Sequence, residues 1–170
     1  AEDHAHHIGL PRGCLEEVSQ ILGDLGVSAV IRDERCTGTS LGVTFHGELR
    51  PEQDAAAHAM LAHETGVLAA ATAFGKTVVA AWLIASRGVN TLVLVHRRQL
   101  MDQWVERLAT FLDVPAKSIG RIGGGRRKPT GMIDVAVIQS LVRRGAVDDC
   151  VASYGHLIVD ECHHLSAHSF

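Results

Sequence analysis

Residues 66–79 constrain the fold of this chain more than any other stretch. A short apolar run, Val67–Ala71, predicts a buried strand, and small residues then lead to the triplet Gly75-Lys76-Thr77. A largely apolar segment follows the triplet and predicts a buried helix. A strand, a small-residue loop, Gly-Lys-Thr and a helix are the context of a phosphate-binding loop, because the helix N-terminus and successive backbone N–H groups attract phosphate oxygens.

Two residues of the triplet have defined roles in such a loop. Lys76 would reach the β- and γ-phosphates of a nucleotide, and the Thr77 hydroxyl would ligate Mg²⁺. The usual pattern has Gly five residues before Gly75, where this chain has Ala70, and Ala73 stands at another position that is often Gly. The alternative is an ordinary βα turn that happens to contain Gly-Lys-Thr, so the rest of the chain decides between the two interpretations.

Composition and charge exclude several classes of protein. The chain has 170 residues, of which 46% are hydrophobic, enough for one domain with a sizeable core. It has neither a long uncharged apolar run nor a secretory signal at its N-terminus, so we expect a cytoplasmic protein with no membrane partner. Four cysteines without a C-x-x-C pair indicate reduced thiols. The net charge of −3 is too small for a strongly basic binding domain, so any nucleic-acid contact must use local basic patches.

The N-terminal region, residues 1–48, predicts a small αβ element. Apolar residues at helical spacing from Leu15 to Leu25 predict a helix, which a glycine ends. Two later segments, 27–32 and 41–45, predict strands joined by a polar turn, so a β-hairpin should follow the helix. We interpret this element as the tail of an upstream region or as a flap packed on the main domain.

From residue 49 onward, predicted strands alternate with helices. Pro51 suits the first turn of a helix that reaches about His63, and Trp104 is predicted to anchor a later helix in the core. A basic, glycine-rich loop is predicted at 123–129. The predicted strands are 67–71, 91–95, 118–122, 133–138 and 156–159. This alternation predicts an α/β fold with a parallel sheet, helices on both faces, and functional residues at the carboxyl ends of the strands.

Two acids stand directly after the last predicted strand. Phosphoryl transfer from a nucleotide needs a metal that neutralises developing charge, held by Thr77 and by an acid at a strand end. Asp160 fits the metal position, and Glu161 fits the group that orients and activates the attacking water. The alternative is that two adjacent acids form a solvated turn.

Four sequence blocks in this order resemble superfamily 2 DNA helicases. They are Leu-Arg-Pro-Glu-Gln, Ala-Thr-Ala-Phe-Gly-Lys-Thr, Leu-Val-Leu-Val-His-Arg-Arg-Gln-Leu and Asp-Glu-Cys-His. The resemblance is strongest to the branch that contains XPB-like helicases and the Res subunits of type III restriction enzymes. It covers residues 49–170 well and residues 1–48 only loosely. It implies that residues 49–170 form the first RecA-like domain of a P-loop ATPase that uses ATP and Mg²⁺.

The resemblance also implies a role for individual residues. Those implied to bind the nucleotide are Arg50, Gln53, Thr72, Ala73, Phe74, Gly75, Lys76 and Thr77. The implied catalytic residues are Lys76, Asp160 and Glu161, with Thr77 and Asp160 as Mg²⁺ ligands and with Cys162 and His163 completing the second acidic motif. Those implied to contact the DNA backbone are His96, Arg97, Arg98, Gly124, Gly125, Arg126, Gln139 and Ser140. Backbone contacts bind DNA without reading its sequence. For the basic loop, a merely solvated surface is the alternative.

Other blocks implied by the resemblance have no counterpart in this sequence. Nothing resembles the later helicase motifs, so we expect a fragment truncated after the second acidic motif, with a second RecA-like domain in the remainder of the same polypeptide. The strand implied to lie between 67–71 and 156–159 is among the absent blocks. We therefore expect either an unpaired strand edge or a strand pairing foreign to the family, through which the fragment would dimerise or swap strands.

The sequence thus predicts the ATP-binding and hydrolysing motor domain of a DNA helicase or translocase, inactive as an isolated fragment. Two alternatives stay open. One is another P-loop ATPase, of the AAA+ or transporter type. The other is a non-catalytic nucleic-acid-binding module whose loop holds an anion.

Overall fold

A computed structural model describes residues 2–3, 8–9, 14–31, 36–143 and 145–162. The chain forms two compact units that divide after residue 35, and each is described by itself. None of the helices in the described ranges is long and apolar enough to cross a membrane. The four cysteines, Cys14, Cys36, Cys150 and Cys162, are free thiols, as the sequence predicts.

The smaller unit contains two short strands and one helix. Strands β1 (Glu2–Asp3) and β2 (Ile8–Gly9) are antiparallel, and helix α1 is Leu15–Asp24. The helix predicted from the apolar spacing is confirmed, and Gly26, with φ 67°, follows its end. The strand predicted at 27–32 is wrong over residues 27–31, which have no regular structure and no strand partner among the described residues. Arg32 lies outside the described residues.

The larger unit is an α/β domain. Its α-helices are α2 (Pro51–Leu61), α3 (Lys76–Arg87) and α4 (Arg98–Phe111). Its strands are β3 (Thr91–Val95), β4 (Gly120–Gly123), β5 (Arg126–Lys128), β6 (Ile133–Val137), β7 (Val142–Arg143), β8 (Ala146–Val147) and β9 (His156–Val159). Short 3-10 helices occur at Ala116–Ser118, Ile138–Ser140 and Asp149–Ser153.

Five of these strands form one sheet in the order β5-β4-β6-β3-β9. Strands β4, β6, β3 and β9 are parallel, whereas β5 is antiparallel to β4. Val93 at the centre of β3 pairs with Val135 on one side and with Ile158 on the other. Every residue of β3 and β6 is buried, as expected for central strands of a covered parallel sheet. The predicted α/β fold with a parallel sheet is confirmed.

Apolar clusters cover both faces of the sheet. Val93 and Val95 face one cluster, and Leu92 and Leu94 face the other, because successive side chains of a strand alternate. Helices α3 and α4 cover the first face with, among others, Ile84, Met101, Trp104, Val105 and Leu108. The second face is covered by a smaller cluster that includes Leu141 and Tyr154. These two residues directly follow short 3-10 helices, so short 3-10 helices contribute to the cover of this face.

The strand predicted at Val67–Ala71 is wrong. These residues have no strand or bridge partner among the described residues, and Val67 is 78% exposed. Leu68 packs instead against the apolar cluster between α2 and α3. A β-strand is defined by its backbone hydrogen bonds to a neighbouring strand. Within the described ranges the edge strand β9 pairs with β3 alone, so Val67–Ala71 does not join the sheet there.

The strand predicted at 41–45, and with it the predicted hairpin, is also wrong. The backbone N–H of Leu41 donates to the carbonyl oxygen of Gly88 at 2.8 Å, beyond the end of α3. The N–H of His46 donates to the carbonyl oxygen of Phe111 at 2.6 Å, at the end of α4. The apolar side chains that suggested a strand pack against the cluster of α3 and α4, so the segment serves as cover for these helices.

The basic loop predicted at 123–129 is a hairpin instead. Strands β4 and β5 are joined by Gly124 and Gly125, whose φ angles are 58° and 80°. A two-residue turn with positive φ at both positions matches the twist of the flanking strands, and glycine adopts it without steric cost. Arg126 is therefore part of a strand.

Candidate functional site

Helix α3 begins directly after the predicted phosphate loop. Gly75 is its N-cap, with φ 88° and ψ 39°, and Lys76 is its first residue. The first N–H groups of a helix have no intrahelical acceptor and lie at the positive end of the helix dipole, so they attract anions. A Cβ atom at residue 75 would lie 2.5 Å from Gln53 Nε2. Both this close approach and the left-handed backbone require glycine here.

Ala73 has a left-handed backbone, with φ 66°. Non-glycine residues adopt this conformation at a cost of roughly 1–2 kcal/mol. This cost explains why phosphate-binding loops often have glycine at this position. Ala70, the other departure from the usual pattern, is not among the described residues with positive φ.

The carbonyl oxygen of Phe74 holds the loop against α2. Arg50 Nη2 and Gln53 Nε2 each donate a hydrogen bond to it at 2.7 Å. Gln53 is only 3% exposed, and its Oε1 accepts from the backbone N–H of Arg50 at 2.9 Å. Both residues therefore lie beside the loop and fix its shape. The adenine contact that the resemblance implies for them stays a prediction.

The two predicted acids lie next to the loop. Asp160 directly follows β9, and its backbone N–H donates to the carbonyl oxygen of Leu94 at 2.9 Å, which continues the pairing with β3. Glu161 Oε1 lies 3.0 Å from Lys76 Nζ. Glu161 has φ 52°, a left-handed conformation that costs a non-glycine residue roughly 1–3 kcal/mol and that recurs at functional sites. The fold thus brings Lys76 and Glu161 together across 85 residues of sequence.

The oxygen atoms at this site suit Mg²⁺. Thr77 lies in the first turn of α3, and Asp160 stands at the end of the adjoining strand. Mg²⁺ prefers oxygen ligands and is usually held by only one or two protein side chains, with water and phosphate oxygens completing its shell. No group of three or more His, Cys, Asp or Glu side chains that could hold a metal occurs within the described part of the chain. His163 lies outside that part.

Trp104 is buried in the core, at 4% exposure, as predicted from its helical spacing. Its indole Nε1 also donates a hydrogen bond to Asp160 Oδ2 at 2.8 Å. Sequence reasoning did not find this contact, because the two residues are 56 positions apart and no local pattern links them. The one indication in the sequence was the tryptophan itself, because its indole N–H needs an acceptor when the side chain is buried.

A cleft lies beyond the carboxyl ends of β4 and β6. It has a volume of about 320 Å³ and includes four of the residues predicted to contact nucleic acid. These are Gly125, Arg126, Gln139 and Ser140, and the cleft is completed by Ile122, Gly123, Arg127 and Val142. Arg127 Nη2 is paired with Asp148 Oδ2 at 2.6 Å, whereas no ion pair of Arg126 is found within the described residues.

The other four predicted nucleic-acid residues lie around the start of α4 and at the hairpin turn. A Cβ atom at Gly124 would lie 2.5 Å from Arg98 Cδ, so the arginine side chain packs directly over the turn. His96 is half-buried and Arg97 is exposed, and both lie between β3 and α4. The fold therefore brings Arg98 to the hairpin that lines the cleft.

Known proteins include several that are similar to this chain. The DNA 3'-5' translocase XPB2 of Sulfurisphaera tokodaii is 32% identical over 123 residues, which are 72% of this chain and 27% of that protein. The DNA 3'-5' helicase XPB of Mycobacterium tuberculosis is 29% identical over 162 residues, which are 90% of this chain and 29% of that protein. The chain spans about a quarter of the length of the curated relatives it matches.

Among solved structures, the UvsW helicase from bacteriophage T4 superposes with a TM-score of 0.69. The match covers 94% of this chain and 64% of that chain, at 19% sequence identity, and it supports the RecA-like fold. Residues 46–170 match the family described as type III restriction enzyme, res subunit. This chain therefore belongs to the type III restriction enzyme res subunit family, within the superfamily 2 helicases.

Proposed function

We propose that this chain binds ATP at the loop that ends in Gly75-Lys76-Thr77 and serves as the motor domain of a DNA helicase or translocase. One observation carries the proposal: Lys76 Nζ lies 3.0 Å from Glu161 Oε1. A lysine at a helix N-terminus and an acid at the end of a parallel strand are the groups that bind and hydrolyse a nucleoside triphosphate. Their direct contact supports a single phosphate site at this edge of the sheet.

Each residue has a role in this proposal. The Lys76 ammonium leaves Glu161 and binds the β- and γ-phosphates, while the loop N–H groups bind the remaining oxygens. Glu161, released from the lysine, accepts a hydrogen bond from the attacking water and orients it. Thr77 and Asp160 would hold Mg²⁺, which neutralises the charge that develops on the phosphate oxygens. Arg50 and Gln53 keep the loop in place through the Phe74 carbonyl.

DNA would bind along the cleft formed by the hairpin β4–β5 and the 3-10 helix that follows β6. The cleft offers the cationic side chain of Arg126 and the hydroxyl of Ser140. Arg98 lies at the hairpin turn, as its contact with Gly124 requires. Such groups contact phosphates and give affinity without sequence preference. The names of the translocase and helicase relatives specify DNA, whereas another relative of similar identity is named as an RNA helicase, so RNA is the alternative that the binding experiment tests.

The whole-protein activity is also a proposal. We propose that a second RecA-like domain in the same polypeptide completes the ATPase site, so that ATP binding closes two domains on DNA and hydrolysis reopens them. The short span of the relatives' length that this chain covers supports this view. Cytoplasmic location, negligible ATP turnover by the isolated chain and dimerisation through the edge of β9 stay predictions.

Calorimetric titration with ATP and Mg²⁺ tests the nucleotide half of the proposal. The wild-type chain should bind, and Lys76→Ala should weaken binding at least about tenfold because it removes the phosphate-binding cation. Lys117→Ala, which removes an exposed lysine elsewhere, is the matched control and should bind as the wild type does. Equal affinities for Lys76→Ala and Lys117→Ala would disprove the assigned site.

A salt titration of DNA binding tests the other half. Arg98→Ala and Arg126→Ala should each weaken binding to single-stranded DNA of any sequence and lower the salt slope by about one unit. Arg107→Ala removes an exposed arginine from the same helix as Arg98, roughly 13 Å further along it, and should have a smaller effect. Unchanged slopes for both cleft variants would reject the cleft, and tighter binding to an RNA of the same sequence would reject the DNA preference.

A further inference from the structure

The indole of Trp104 links the apolar core to the candidate metal site. Trp104 lies on α4 and is 4% exposed, within the cluster that includes Met101, Val105 and Leu108. The tryptophan side chain has a single polar group, the Nε1–H donor, and a buried donor needs an acceptor. In this fold the acceptor is the carboxylate of Asp160, at 2.8 Å.

Asp160 is held from two directions. Its side-chain Oδ2 accepts from Trp104, and its backbone N–H donates to the carbonyl oxygen of Leu94 at 2.9 Å. One contact comes from helix α4 and the other from strand β3, and both elements are packed in the core. Because a hydrogen bond to a carboxylate is charge-assisted, this contact fixes the side-chain torsions more firmly than a neutral hydrogen bond would.

The second carboxylate oxygen of Asp160 is left available by this arrangement. Within the described part of the chain, Oδ1 accepts no hydrogen bond and belongs to no ion pair. A carboxylate oxygen has lone pairs that either a donor or a cation can use. Carboxylates that ligate metals are commonly held by a hydrogen bond from a neighbouring residue, and loss of that partner typically costs about 10–100-fold in metal affinity or activity.

We propose that Trp104 is a positioning residue for the metal site: its Nε1–H holds Asp160 Oδ2 and so presents Oδ1 to Mg²⁺. This inference rests on the proposed function, because it takes Asp160 as a ligand of the Mg²⁺ that accompanies ATP. Trp104 itself touches neither the metal nor the nucleotide. A tryptophan with a purely structural role would need only an apolar pocket and any acceptor for its N–H. The positioning role differs, because it predicts that removing the indole N–H weakens Mg²⁺ binding.

The unmodified chain provides the first test, through the indole N–H resonances of its two tryptophans. Trp82 is the internal control, since it lies on α3 with its ring 4.9 Å from that of His58 and has no contact with Asp160 among the described hydrogen bonds. When Mg²⁺ is added to the ATP-saturated chain, the Trp104 resonance should shift along the binding curve. The Trp82 resonance should move little.

The second test measures Mg²⁺ affinity at saturating ATP in Trp104→Phe, which keeps an aromatic ring but removes the donor. The apparent Mg²⁺ affinity should fall about tenfold or more, while the affinity for ATP without Mg²⁺ stays within about twofold. Trp82→Phe is the matched control and should keep the wild-type Mg²⁺ affinity. A thermal unfolding curve for each variant identifies a loss that comes from unfolding, and the resonance test stands even if Trp104→Phe does not fold.

The outcomes separate this inference from the proposal on which it rests. If Mg²⁺ does not strengthen ATP binding to the wild-type chain, the proposed function fails and the positioning role fails with it. If Mg²⁺ acts normally in the wild type and equally in a folded Trp104→Phe, only the positioning role is overturned. A Trp104 resonance that ignores Mg²⁺ while Mg²⁺ strengthens ATP binding would also overturn it.

Discussion

Lys76 Nζ and Glu161 Oε1 form an ion pair at 3.0 Å, and this pair joins the first turn of α3 to the end of β9. The side chains are 36% and 33% exposed, so water and salt screen the pair and its net contribution to stability is small. Its importance is functional, because the same lysine is proposed to bind phosphate. A nucleotide must therefore compete with Glu161 for the ammonium group.

Glu161→Gln removes this competitor. We expect ATP to bind about two- to fivefold more tightly to the variant, since the screened pair no longer has to break, while any hydrolysis by the intact protein is lost. Calorimetry at low and high salt measures the change, and the difference from wild type should shrink at high salt. Glu106→Gln, an exposed substitution on α4, is the control. Weaker ATP binding by Glu161→Gln would show that the ion pair does not oppose the nucleotide.

Ala73→Gly should stabilise the chain or leave its stability unchanged, whereas Ala70→Gly should destabilise it. Glycine relieves a left-handed strain of roughly 1–2 kcal/mol at residue 73, offset by about 0.5–1 kcal/mol of extra chain entropy in the unfolded state. At residue 70 only the entropy cost applies, about 0.5–1 kcal/mol. Urea unfolding of the two variants makes the comparison. An equal loss of unfolding free energy in both would contradict the left-handed conformation of Ala73.

Tyr154, the single tyrosine of the chain, should ionise only when the protein unfolds. Burial, together with its hydrogen bond to the fully buried carboxylate of Asp134, raises the pKa of Tyr154 well above its usual 10.0. An absorbance titration to alkaline pH should show tyrosinate appearing together with loss of helical circular dichroism. A normal tyrosinate titration in the folded chain would contradict this contact.

Tyr154→Phe should lower the free energy of unfolding by about 1–3 kcal/mol, because Asp134 loses a buried hydrogen-bond donor.

His156 should make stability fall in mildly acidic solution. Burial, with a smaller effect from the positive charge of Arg87, lowers the pKa of His156 from 6.5 to about 4. Its Nδ1 lies 3.2 Å from Thr91 Oγ1, which itself donates to the carbonyl oxygen of Val89, so Nδ1 is the donor to Thr91. The unfolded state therefore binds a proton that the folded state rejects between pH 6.5 and about 4.

The stability that neutral His156 provides is complete above pH 6.5 and is lost as the pH falls toward 4. We expect this loss to reach up to about 3 kcal/mol relative to His156→Gln, measured as unfolding free energy across that range. His58→Gln, at an exposed position on α2, serves as the control for the other histidines. Parallel pH profiles for wild type and His156→Gln would contradict the proposed burial effect.

Local patterns in the sequence predicted the elements that depend on local chemistry. Pro51 at the first turn of α2, the apolar run of β3 and the triplet at the start of α3 all appear where the sequence places them. These features follow from backbone preference and apolar periodicity, which a single segment contains. The resemblance added the order of the motifs and the RecA-like fold.

The remaining features depend on partners that are distant in sequence. Val67–Ala71 has the composition of a buried strand, but a strand also needs a hydrogen-bonded neighbour. None of the described residues provides that neighbour. The contact of Trp104 with Asp160 and the double hydrogen bond on the Phe74 carbonyl likewise join separate elements. Asn90 shows the same effect: it is 2% exposed and its side chain bonds to four residues in three other segments, although nothing in its local sequence marks it.

A crystal structure of the chain with Mg²⁺ and a non-hydrolysable ATP analogue tests the central claim most directly. We expect the phosphates to lie against the loop N–H groups before α3, with Lys76 turned from Glu161 onto the β- and γ-phosphates and with Mg²⁺ between Thr77 and Asp160. An analogue bound elsewhere, or bound while the pair of Lys76 and Glu161 stays intact, would contradict the account.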